Sequence, residues 1–310
     1  TDDHAQKQQK ISHIIKTDKE FFNFNSKLKF KTELHSQFFN YENKKINNKD
    51  VSGVYTKIFP MSGLYISTPI VNRNYDLTVS PHISFILNSS QSNSNKISNE
   101  ESTNNDFSLL NATDLNRYTG TDKLDNSKRI NYGFSINKSN LSLDLLQSYE
   151  FEKNSDFKTN DYLSDTIGSL KFINHDNEFS YNVRFNNDQG AIKHQSMNLS
   201  HTNKLGLFGI NYTQERKEAK TILINGSETL DLKFKSSKFN KYSTISLFSN
   251  FDLIKDDPTK YEIGYEYFDE CFGINIDFGR SFYEDRDLKP QDTLTLMFSF
   301  KYLGSYKSTN

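Results

Sequence analysis

Histidine is the residue that most often holds a metal or moves a proton, and this chain has seven: His4, His13, His35, His82, His175, His194 and His201. They are scattered, without the i,i+4 helical pairing or the Cys/His clustering that metal sites use, so no metal site is expected. No G-x-S-x-G, P-loop or G-x-G-x-x-G fingerprint occurs in a strand-turn-helix setting. Asp165, His194, Ser196 and His201 are the residue types of a hydrolase built on a barrel rim. The reading the residues favour is polar rim or lumen side chains, so no catalytic residue and no cofactor is assigned. The single cysteine, Cys271, reads as a buried small hydrophobe, a free thiol, or half of a disulfide to a segment outside this sequence, and its place in a strand pattern favours the first. Glu262, Glu266, Asp277 and Lys301 read as charges that solvate or brace a water-filled interior.

These charges alternate with apolar side chains. Tyr261, Ile263, Tyr265 and Tyr267 are separated by Glu262, Gly264 and Glu266; Phe272, Ile274, Ile276 and Phe278 by Gly273, Asn275 and Asp277. Leu294, Leu296, Phe298, Phe300 and Tyr302 likewise alternate with Thr295, Met297, Ser299 and Lys301. Successive strand side chains point to opposite faces, so a sustained period of two describes sheets separating two different environments.

Composition says which environments. Hydrophobic residues make up only 34% of the 310, and mean hydropathy is -0.75, yet the chain carries 26 Phe and 17 Tyr. Disordered chains are poor in aromatics. A transmembrane barrel reconciles the two facts, because half of every strand faces water while the other half faces lipid. A net charge of -1 from 38 basic and 39 acidic residues, well mixed, argues against a nucleic-acid partner. No run of eighteen apolar residues exists, which excludes a helical span. The chain opens at Thr1 without an initiating Met or a signal peptide and is expected to be a mature or truncated piece of an exported protein.

The organisation follows. Residues 1–20 are expected to be a polar edge or loop segment, residues 21–304 an outer-membrane barrel portion, and residues 305–310 a tail. The strand count comes to about fourteen to sixteen, as part of a larger antiparallel transmembrane β-barrel. Pro60 and Pro69 are expected to end strands, and Pro81 to mark a bulge or a weakly paired position. Residues 88–128 read as one long polar loop, of the kind found on the extracellular side of outer-membrane barrels.

The order of residues in two regions resembles the family of the LPS-assembly protein LptD. Asn99-Glu100-Glu101-Ser102 is similar to its N-E-D-S loop, with Glu101 where Asp is usual. Asn116-Arg117-Tyr118-Thr119-Gly120-Thr121-Asp122 is similar to N-R-f-s-G-x-D, and Arg129-Ile130-Asn131-Tyr132-Gly133 to r-x-n-Y-G. Near the end, Asp269-Glu270-Cys271-Phe272 and Arg280 through Pro290 resemble the family's closing pattern, and Leu163-Ser164-Asp165-Thr166-Ile167-Gly168 is a further match. The resemblance spans about residues 55 to 304.

It implies a Gram-negative outer-membrane translocon that inserts lipopolysaccharide into the outer leaflet through a lumen and a lateral gate. Its implied partners are an LptE-like lipoprotein plug and a periplasmic bridge component reached through an upstream domain. It makes Leu294, Leu296, Phe298, Phe300 and Tyr302 a closing strand at the gate, and gives Cys271 a disulfide partner outside the chain. A general outer-membrane porin or solute channel is the alternative, and an outer-membrane hydrolase the third reading.

Overall fold

The computed structural model describes residues 7–46, 49–99, 101–102, 108–111, 113–152, 162–219, 222–282, 290–301 and 304–309. Every regular element among them is a β-strand, seventeen in all, and the pairings within each of two units are antiparallel. The first unit comprises residues 1–138 and 144–167; the second comprises residues 139–143 and 168–310.

In the first unit β1 (Lys7–Asn23) and β2 (Ser26–Ile46) form a hairpin in register from Lys7↔Glu42 to Asn23↔Ser26. Its turn residues, Phe24 and Asn25, have φ of 47° and 61°, the left-handed pair whose twist suits a two-residue hairpin. β2 pairs onward with β3 (Lys49–Ser67). β5 (Leu77–Asn88) pairs with β3, with the short β4 (Ile70–Asn72) and with β6 (Lys128–Lys138). β7 (Leu141–Glu150) meets β6 through Tyr132 Oη donating to Gln147 Oε1 at 2.7 Å and the Phe151 N–H donating to the Lys128 carbonyl at 2.8 Å.

The sides of this sheet are inverted relative to a soluble protein. On β2 Phe30, Leu34 and Phe38 are exposed while His35 and Gln37 are buried; on β3 Val54 and Ile58 are exposed while Lys57 is buried. Continuous apolar rows are left uncovered by soluble proteins only in small patches. Rows of this kind, on strands whose other side is polar, suit lipid.

The second unit runs from β8 (Thr166–Ile173) through β9 (Asn177–Asn186), β10 (Ala191–Thr202), β11 (Gly206–Ala219), β12 (Ile222–Ser236) and β13 (Ser243–Asp252). It continues with β14 (Asp257–Phe268), β15 (Phe272–Ser281), β16 (Gln291–Phe300) and β17 (Gly304–Thr309). Register carries one apolar row straight across four strands, Leu247↔Ile263↔Phe278↔Leu294. All four are exposed, Ile263 at 56%. The adjacent row, Ser246↔Gly264↔Asp277↔Thr295, is polar or small and points the other way.

Several expectations change. The segment placed before the barrel is largely strand β1, missed because few of its side chains are apolar. It is held by its ladder and by cross-strand pairs such as Lys16–Glu33 at 3.2 Å. β3 runs straight through Pro60, which sits opposite Leu34 and uses its carbonyl to accept the Ser89 N–H at 3.1 Å. Pro81 keeps its place opposite Phe134 without a register shift, and its carbonyl accepts the Thr68 N–H at 3.1 Å. Residues expected to be a tail form β17, which pairs with β16. The seventeen strands among the described residues therefore exceed the expected fourteen to sixteen.

Candidate functional site

The described residues among 89–127 form no strand, yet Leu115, Leu124 and their neighbours pack against the polar side of the first unit. Leu115 and Leu124 close an apolar cluster with Phe59, Met61 and Ile86 from β3 and β5. Side-chain amides staple the loop to the wall: Asn88 Nδ2 donates to the carbonyls of Leu115 at 2.7 Å and Asp125 at 2.8 Å, and Asn93 Nδ2 to that of Leu124 at 3.0 Å. Lys57 reaches Asn93 Oδ1 at 3.1 Å.

At the centre lies a buried ionic cluster. Arg117 donates through Nε to Asp125 Oδ2 at 2.7 Å, and through Nη2 to Asp125 Oδ1 at 3.3 Å and to Glu150 Oε1 at 2.7 Å. Arg129 Nη1 donates to Asp125 Oδ2 at 2.9 Å and Nη2 to the Asp114 carbonyl at 2.6 Å. All four charged side chains are at most 2% exposed, and two guanidiniums balance two carboxylates. Burial pushes the Asp125 carboxyl up, but the Arg117 and Arg129 charges outweigh it and hold it below its usual range. Burial also opposes the Arg117 charge, which the Asp125 and Glu150 carboxylates more than restore.

A second cluster reaches the surface through Glu101, which is half-exposed, while Asp122 is buried. Lys10 of β1 donates to Asp122 Oδ1 at 2.8 Å and also contacts Glu101 and Thr121. The Thr121 N–H donates to Glu101 Oε1 at 3.1 Å and the Glu101 N–H to Asp122 Oδ2 at 3.0 Å. Hydrogen bonds from Lys10 and Thr121 pull the Glu101 carboxyl down to about 2. Gly120 has a φ of 70°, and a Cβ there would stand 2.6 Å from the Glu101 carbonyl oxygen, so both backbone conformation and space call for glycine. Asn99 and Ser102 close a local turn, Ser102 N–H donating to Asn99 Oδ1 at 3.0 Å, and Ser102 Oγ accepts the Lys123 N–H at 3.0 Å.

Comparison with known proteins gives this arrangement a family. The model of the LPS transport system D family, LptD, matches residues 4–253. The chain belongs to the LptD family. No match was found among curated proteins. Among solved structures, a mutant of the ferric enterobactin receptor from Pseudomonas aeruginosa aligns with 95% of this chain and 55% of its own, at 7% identity and a TM-score of 0.51. A mutant of the Rh. blastica porin aligns with 98% of this chain and 91% of its own, at 11% identity and a TM-score of 0.38. The LptD chain is thus an all-β protein of the outer-membrane barrel type, in the outer membrane of a Gram-negative bacterium, and its family's business is lipopolysaccharide transport.

The structure gathers Asn99, Glu101, Ser102, Arg117, Gly120 and Asp122 of this LptD chain into one folded loop; Glu100 lies outside the described residues. Sequence reasoning missed their partners Lys10, Asp125, Arg129 and Glu150. Arg129 opens the Arg129–Gly133 motif and pairs with Asp125 four residues before it.

Other residues are placed differently. Cys271 is exposed, in the turn between β14 and β15, and not buried in a strand; its N–H donates to Asp269 Oδ1 at 2.8 Å. Glu262, Glu266 and Asp277 lie on the half-buried polar side of β14 and β15, Glu262 paired with Lys260 at 2.5 Å and Glu266 with Lys235 at 3.0 Å. Lys301 lies in an exposed turn beyond β16 and not on the polar wall. Leu294, Leu296, Phe298 and Phe300 belong to β16, which pairs with β15 on one side and β17 on the other, so they are not at a free edge. Tyr302 lies outside the described residues.

The hydrolase arrangement does not form on β10. His194 pairs with Glu215 at 2.5 Å, Ser196 Oγ accepts from Asn182 at 3.3 Å, and His201 contacts Asn177 at 2.8 Å. His194 and His201 are seven strand residues apart, roughly 23 Å.

Proposed function

We propose that this chain forms part of the wall of an outer-membrane translocon that inserts lipopolysaccharide into the outer leaflet, without covalent chemistry. Membership of the LptD family carries the reading. The geometry suits it: exposed apolar rows face lipid, and the polar side offers hydroxyls, amides and charges to a hydrated glycan. The folded loop covers that polar side in the first unit, held by the Arg117–Asp125–Arg129–Glu150 cluster. An LptE-like lipoprotein plug and a periplasmic bridge component are the proposed partners. The lateral gate is not assigned to β16, which is paired on both sides. Depleting the full-length protein should strip lipopolysaccharide from the cell surface; normal surface levels would overturn the reading.

A further inference from the structure

On β2, Lys27, Lys29 and Lys31 follow one another at every second position, so their side chains leave the same side of the strand at intervals of roughly 7 Å. Three like charges so close repel unless something offsets them. On the paired strand β1, Asp18 lies opposite Lys31 and Glu20 opposite Lys29. Both carboxylates lean the other way: Asp18 pairs with Lys29 at 2.9 Å, and Glu20 with Lys27 at 3.0 Å and Lys29 at 3.3 Å. Two acids thus serve two ammoniums. Lys31 is left over and, among the described residues, its Nζ meets only the Thr113 carbonyl of the loop, at 3.3 Å.

The surplus charge borders a cavity of about 320 Å³, which Lys27, Lys29, Glu20 and Thr113 also line. Its far wall offers Ser67, Ser84 and Tyr65 as hydroxyls, with the apolar Ile86 beside them. The roof is the loop itself. Leu115 comes so close to Gly63 that a Cβ there would meet Leu115 Cδ2 at 2.7 Å. A cation excess, hydroxyl partners and an apolar floor in one concavity are the features of a site for a small anionic polar group.

We propose that this cavity binds the phosphate ester of a sugar, with Lys31 as its principal cation and Lys27 as its second. The inference deepens the translocon reading and rests on it for the source of the ligand: the phosphorylated sugar headgroup of the transported lipid. Short turns mark the periplasmic end of an outer-membrane barrel and long loops the outer end. Phe24–Asn25 closes one end of β2, and residues 89–127 close the opposite end of β5. The three lysines run from the short turn up to the level of Ile86, two residues before β5 ends, so the cavity lies between the short turn and the folded loop, on the path of cargo moving outward.

The test uses the full-length protein in detergent and two pairs of probes: diphosphorylated lipid A against its dephosphorylated form, and glucose 1-phosphate against glucose. Wild type should prefer the phosphorylated member, and Lys31→Gln should lower that preference about tenfold, the weight of one charge-assisted hydrogen bond. Lys31→Arg, which keeps the charge, should restore it and also serves as the folding control. Loss confined to the lipid pair assigns the site to the headgroup, and loss confined to the sugar pair to a free sugar phosphate. No preference in either pair, or one that survives Lys27→Gln with Lys31→Gln, overturns the proposal. Depletion reports separately on transport: normal surface lipopolysaccharide sinks the translocon reading, whereas an unchanged phosphate preference in the variants sinks only the site.

Discussion

Arg117 bridges two carboxylates that the chain supplies from different places, Asp125 from the same loop and Glu150 from the end of β7. Removing one member of a buried pair leaves the others charged and unsolvated, which typically costs 3–5 kcal/mol. Arg117→Ala should therefore free the loop from the wall, read as new protease cleavage within residues 89–127 of the full-length protein. Unchanged cleavage would show that the apolar cluster of Leu115 and Leu124 holds the loop alone. Glu101 behaves differently because it is half-exposed. Its folded carboxyl is lowered from the ordinary 4.5 to about 2, so it contributes stability that is complete above the unfolded value. That contribution is lost as pH falls from about 4.5 through 2. Protease access near Thr121 should rise over that window in wild type and be flat in Glu101→Gln. An equal rise in both proteins would exclude the Lys10–Glu101 contact as its cause.

At the scale of the strand, period two was enough to find most elements, and the prolines and charged segments show where it failed. The N–H that Pro60 and Pro81 lack would lie on the side of their carbonyls, which face Ser89 beyond the end of β5 and Thr68 between β3 and β4, so no bond inside a regular ladder is lost. β1 carries its order in backbone pairing and ion pairs that only a partner strand reveals. The loop was recognisable as a loop, but its folding was not, since Glu150 and Lys10 are brought to it by strands distant in sequence, and Asn88 and Arg129, at its two ends, reach it only once it folds back. The apolar rows make a strand-level prediction. Ile263 is central in β14 and lies between Leu247 and Phe278. If that row faces lipid, Ile263→Arg should cost about 2–4 kcal/mol of folding stability in a bilayer. Glu262→Gln, one residue along, removes only a half-exposed pair with Lys260 and should cost less than about 1 kcal/mol. Equal effects at the two positions would remove the distinction between the faces.

For the whole molecule, the low hydropathy and the abundance of aromatics are explained together, because each unit by itself shows apolar rows outward and polar rows on the other side. A protein of this kind has two ends that differ, and Cys271 lies at one of them. Within the second unit the turns alternate, and Cys271 sits in the three-residue connection between β14 and β15, at the same end as residues 174–176 and 203–205. Residues 282–290 connect the opposite end of β15. Short connections mark the periplasmic end, an oxidising compartment where an exposed thiol finds partners. It is the single cysteine of this sequence, so any disulfide it makes has its second sulfur elsewhere. The full-length protein should therefore change mobility on a non-reducing gel when reduced, and Cys271→Ser should remove that change. If wild type and the variant migrate alike with and without reductant, Cys271 is a free thiol on a periplasmic turn, and the disulfide implied by the family does not extend to this chain.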